Sequence, residues 1–174
     1  MIRILGAGCI ALGSGAFGFA MAAASRREEE QLRLLVRALE FMFCELSYRL
    51  TPLAQLCREA AGLGRGEVPE FFLEVAKKLE QQTEPDVSGC VRRILFEREF
   101  SGELHRLLSE LGSTLGRFDL PGQLRGLEAA IRSAEESLRR VREGAPERRR
   151  SYQTLGLCTG AAMAILLLKL WMWS

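Results

Sequence analysis

All 22 acidic residues of this chain, and 22 of its 24 basic ones, lie between Arg26 and Arg150. Outside that stretch the only charged side chains are Arg3 and Lys169, and they alone account for the net charge of +2. A segment in which more than a third of the residues are charged must face water. An apolar run of about 20 residues matches a hydrocarbon core of about 30 Å. The pattern therefore predicts an N-terminal transmembrane helix at 1–25, a water-facing domain at 26–150 and a C-terminal transmembrane helix at 151–174. The charges of the middle cancel. That excludes a nucleic-acid binder, which needs a surplus of basic charge to displace counterions.

The first end is glycine- and alanine-rich. Ala7, Ala11 and Gly15 recur at four-residue spacing, as do Ala16, Ala20 and Ala24, and small residues on one face let membrane helices pack closely. The second end is leucine-rich. Trp171 and Trp173 stand where an interfacial aromatic belt would lie, Tyr152 stands at the other limit, and Lys169 can snorkel outward. Arg26 and Arg27 follow the first span, and Arg148, Arg149 and Arg150 precede the second. Both inner flanks are positive, which predicts a cytoplasmic middle domain with both termini outside. Five cysteines without repeated spacing point to reduced thiols.

Two other readings of the first end carry less. Gly6-Ala7-Gly8 followed by Ala11 resembles a dinucleotide-binding turn, but no β-strand pattern follows to build the required sheet. Ala22-Ala23-Ala24 resembles a signal-peptide cleavage site, which would make the chain an exported, tail-anchored interaction domain. Arg26 and Arg27 directly after that site oppose export.

The middle reads as helices throughout, an all-α antiparallel bundle. Leu32, Leu35, Val36, Leu39, Met42, Phe43, Leu46 and Leu50 form one apolar stripe. Thr51-Pro52 predicts an N-cap and a proline at N1 that end the first helix and open a second. Gly62, Gly64 and Gly66 mark a loop before a third helix carrying Phe71, Phe72 and Val75. Ser88 is the expected cap of a fourth helix bearing Val91, Ile94 and Leu95. Leu104, Leu107, Leu108, Leu111 and Leu115 define a fifth. Asp119 caps a sixth, whose Leu124, Leu127, Ile131, Ala134, Leu138 and Val141 form a seam suited to packing inside the bundle or to self-association into a homo-oligomer.

No metal, cofactor or catalytic motif is present, and the single histidine, His105, lies among leucines. The reading is non-enzymatic, with no cofactor. The mixed-charge runs are solvated helix faces, and the basic stretch at 139–150 also suits anionic headgroups of membrane lipid.

Several motifs in succession resemble one family. Gln31-Leu32, Ala38-Leu39, Glu45-Leu46-Ser47-Tyr48 and Thr51-Pro52-Leu53 come first. Leu111-Gly112, Leu115-Gly116, Asp119 and Gln123 follow, then Tyr152, Leu155-Gly156 and Gly160 before the leucine-rich tail. In that order they resemble stage III sporulation protein AB of endospore-forming bacteria. Phe43, where that family has an acid, and Cys90-Val91, where it has a tryptophan-containing stretch, depart from the pattern. The resemblance implies a membrane scaffold similar to the F-type platform protein of type II secretion and type IV pilus systems. It further implies a channel complex between mother cell and forespore, a place in the mother-cell membrane facing the forespore, and two kinds of partner: a cytoplasmic secretion-type ATPase and other membrane subunits. Carried onto this chain, Thr51, Pro52 and Asp119 set helix boundaries, and Glu45, Tyr48 and Gln123 are candidate partner contacts.

Overall fold

The computed structural model describes residues 2–81, 86–116 and 119–144, with side chains from Ala23 onward. The described residues form six helices and no strand: α1 (Ile2–Tyr48), α2 (Leu53–Ala61), α3 (Glu67–Glu80), α4 (Val87–Glu97), α5 (Gly102–Thr114) and α6 (residues 120–144). The chain divides into two compact units, Glu28–Arg140 and the two ends, Met1–Arg27 with Val141–Ser174. Among the residues whose side chains are described, from Ala23 onward, no helix is long and apolar enough to cross a membrane. The C-terminal span expected at 151–174, with Arg148, Arg149 and Arg150 before it, lies outside the described residues, as do the side chains of Ala7, Ala11 and Gly15.

The larger unit is a helical bundle. Its core takes Leu32, Leu35, Leu39 and Met42 from α1, Leu56 from α2, Phe71 and Phe72 from α3, Ile94 from α4, Leu108 and Leu111 from α5, and Leu127 from α6. Helices α4 and α5 are antiparallel. Val91 faces Gly112 and Val87 faces Gly116, and a Cβ on Gly112 would press into the Val91 side chain. α6 returns antiparallel along α5, with Gly126 against Thr114 near one end and Ser137 bonded to Glu103 at the other.

The sixth helix buries Leu127, Ala130, Ala134, Ser137 and Leu138. That seam is displaced from the expected one: Ile131, Leu124 and Val141 are only half-buried. Small side chains at Gly126, Ala130 and Ala134 let α6 close on α5, and the bulkier Ile131 is left at the rim. The fourth helix is capped by Asp86 rather than Ser88. The Asp86 carboxylate accepts from the Gly89 N–H at 2.9 Å, and the Ser88 hydroxyl donates to that same carboxylate at 2.7 Å.

α3 begins without a side-chain cap of its own, because Gly66 holds that position. α1 supplies the missing partner. The Gln31 Oε1 accepts from the Val68 N–H at 3.0 Å, and its Nε2 donates to the Arg65 carbonyl at 3.4 Å. Gly66 has φ +117, and a Cβ there would collide with the Gln31 amide.

These contacts sort the bundle into two ends. Gln31 of α1 meets the start of α3; Phe71 of α3 meets Phe100 edge-on at 6.1 Å; and Glu103, at the start of α5, meets Ser137 and Arg140 late in α6. At the opposite end, Leu53 and Val87, which open α2 and α4, meet Gly116 just past α5, and α6 begins. Both connections to the apolar termini, before Gln31 and after Arg140, therefore leave the bundle at one end.

Gly66→Ala is expected to destabilise the bundle by at least about 1 kcal/mol, from the positive φ alone. A lowered denaturation midpoint with an unchanged m-value would verify this, and Gln31→Ala should lower it too, through the lost cap.

Candidate functional site

The turn between α1 and α2 departs furthest from ordinary packing. α1 ends at Tyr48, with the Arg49 N–H still bonded to the Glu45 carbonyl at 2.9 Å. Leu50 then takes φ +52, a left-handed conformation that usually falls to glycine after a helix. Holding leucine there costs about 1–2 kcal/mol. It also swings the side chain out of the stripe that the spacing assigned to it. Leu50 is 65% exposed, and Tyr48 is 87% exposed.

Glu45 braces this corner. Its half-buried carboxylate accepts from the Thr51 hydroxyl at 3.2 Å and pairs with Arg49 at 3.5 Å. Thr51 is thus not the cap of α2. That position belongs to Pro52, whose carbonyl accepts from the Leu56 N–H at 2.9 Å and which has no side-chain acceptor to offer. Thr51 sits one residue too early, and its hydroxyl ties back to α1 instead. One turn before Tyr48 on α1 lies Cys44, also exposed.

Asp119 and Gln123 belong to the same end of the bundle. The Asp119 carboxylate accepts from the Gly122 N–H at 3.3 Å, and its carbonyl accepts from the Gln123 N–H at 2.9 Å. Gly116, three residues before Asp119, lies against Leu53, the first residue of α2. Glu45, Tyr48, Thr51, Pro52, Asp119 and Gln123 thus gather at one end. Arg26 and Arg27 are exposed on α1, before the bundle begins. What the corner offers chemically is contact area: an aromatic ring and a leucine, presented on a constrained turn beside charged groups. Exposed anchors of this kind suit protein recognition.

At the other end lies a polar cluster that sequence reasoning missed. Ser137 is 1% exposed, and its hydroxyl donates to Glu103 at 2.5 Å. Arg106 and Arg140 converge on the same carboxylate at 3.0 and 3.2 Å. Hydrogen bonds from Arg106, first, and from Ser137, next, hold the Glu103 carboxyl down at about 2, against an ordinary 4.5. The available signal was the serine itself, placed between the apolar residues Ala134 and Leu138 on the seam of α6. The other residue missed is Phe96, which follows Leu95 and is 91% exposed.

Comparisons with known proteins come from three directions. The family model of stage III sporulation protein AB matches residues 3–168. Stage III sporulation protein AB of Bacillus subtilis (strain 168) is 22% identical over 171 residues, spanning 97% of this chain and all of that protein. A solved structure of stage III sporulation protein AB is similar with a TM-score of 0.57 and 20% identity, over 67% of this chain and 94% of that one.

Because Glu103 titrates lower in the folded chain than in the unfolded one, its contribution is complete above about pH 4.5 and is lost as pH falls through about 2. Glu103→Gln should therefore lower Tm at neutral pH, and the gap from the unaltered chain should close in thermal melts taken down to about pH 2.

Proposed function

The chain belongs to the stage III sporulation protein AB family, and from that premise we propose that it is a non-enzymatic platform subunit of a channel complex between mother cell and forespore. Two transmembrane helices, at 1–25 and 151–174, hold the bundle in the mother-cell membrane facing the forespore, with residues 26–150 in the cytoplasm. The docked partner is a cytoplasmic secretion-type ATPase, and the spans meet other membrane subunits.

Two features support this reading. A bundle slung between two spans must send both connections to one side, and Gln31 and Arg140 lie at the same end. The docking corner should then stand away from the bilayer. From Gln31 to Tyr48 α1 rises about 25 Å, at about 1.5 Å per residue. The observation that carries the proposal is the exposed Tyr48–Leu50 pair on its left-handed turn, at the end away from both connections. Unfavourable backbone geometry and exposed apolar area are both costs to the free chain, and a partner that covers the corner removes the second.

Tyr48→Ala and Leu50→Gly are the test, made in the full-length chain in nanodiscs. Each is expected to weaken binding of the ATPase by about tenfold or more. Neither should lower Tm, and Leu50→Gly should equal or exceed the unaltered chain, since glycine accepts the left-handed conformation. Unchanged ATPase affinity in both variants would sink the docking role of the corner.

A further inference from the structure

Phe96 lies on the last turn of α4, 91% exposed, on the side of that helix away from the buried Val91, Ile94 and Leu95. Beside it on the outward side, one turn back, are Arg92 and Arg93, both exposed. Arg92 has no ion-pair partner among the described residues. Arg93 reaches Glu97, which is itself turned toward Lys78 of α3 at 3.2 Å. The exposed surface of α4 is thus an aromatic ring, the Arg92 guanidinium and the Arg93–Glu97 ion pair.

Its place in the bundle indicates what covers it. Two residues on, Arg98 pairs with Glu70 of α3 at 2.6 Å, and Phe100 packs on Phe71. Both contacts belong to the end where Gln31 holds the start of α3 and from which the chain leads to both apolar termini. Ala24, the last residue of the first apolar stretch, is only seven residues before Gln31, so the chain between them cannot exceed about 25 Å.

We propose that Phe96, flanked by Arg92 and Arg93, rests in the interface of the anionic membrane to which the chain is anchored, the ring at the headgroup–acyl boundary and the guanidinium groups on lipid phosphates. An aromatic side chain beside arginine is the composition that interfacial binding selects, and the charge of Arg92 complements an anionic leaflet. This surface is distinct from the Tyr48–Leu50 corner at the other end of the bundle. It orients the bundle on the bilayer, so that the corner faces away. The inference rests on the reading of the two apolar ends as membrane spans.

The test replaces Phe96 by an indole in the full chain, Phe96→Trp with Trp171→Phe and Trp173→Phe. The protein is reconstituted in nanodiscs of phosphatidylglycerol and phosphatidylcholine, with or without brominated acyl chains. Emission from position 96 should be blue-shifted and quenched by at least half by the brominated lipid. Quenching should fall in pure phosphatidylcholine and in an added Arg92→Glu, Arg93→Glu variant. Alkaline carbonate extraction of the same protein from cell membranes reads the spans separately. Release by carbonate would remove the spans and this inference with them. Retention with unquenched, water-like emission would overturn the inference alone and leave the spans standing.

Discussion

The carboxamide of Gln31 joins α1 to the start of α3 by matched polar groups. α3 opens on a glycine and has no side-chain oxygen of its own to satisfy its first N–H groups. Gln31 answers the Val68 N–H and the Arg65 carbonyl together, since an amide donates from its nitrogen and accepts at its oxygen. Once this contact is set, the register of α1 against α3 is set. Leu32, Leu35, Leu39 and Met42 follow on the same helix at core spacing, and the Tyr48 corner is carried to the other end.

The two ends of the bundle are built by different chemistry. Near the connections, Glu103 gathers Arg106, Ser137 and Arg140, a charge-assisted cluster that pins the late part of α6 to the start of α5. Such clusters resist slippage because a shifted register gives up several charge-assisted hydrogen bonds at once. At the far end Glu45 steadies a turn whose backbone and exposure are both unfavourable. A protein that only needed to fold would place glycine at position 50 and a polar side chain at 48. This chain has leucine and tyrosine there, the contact residues of the proposed docking role.

Much of this was legible from residue order. Helical periodicity located the core positions of α1, α3, α4 and α5, since burial on one face imposes that spacing on any helix. Local pattern misleads where three-dimensional contact overrides it. Leu50 continues the apolar stripe in sequence, yet the helix ends at Tyr48 and the left-handed turn throws Leu50 outward. Thr51 has the side chain of a cap but stands one residue from the place. Ser88 yields to Asp86, whose stronger acceptor reaches the Gly89 N–H. The seam of α6 is displaced to Ala130 because close approach to α5 favours small residues over Ile131. Glu103, Ser137 and Arg140 lie more than thirty residues apart in part of their cluster, and no local motif announces such a meeting.

The proposed docking role requires the bundle to stand in the cytoplasm with the Tyr48 corner exposed to a partner. Cys44, exposed one turn from Tyr48, reports this directly. Cys57 and Cys90 are fully buried, and burial pushes the Cys57 thiol up to about 12, so neither competes for reagent in the folded chain. With Cys9→Ala and Cys158→Ala, a membrane-impermeant maleimide is applied to intact protoplasts and to lysed ones. The account predicts labelling of Cys44 only after lysis. Labelling in intact protoplasts would place the corner outside the cell and contradict it.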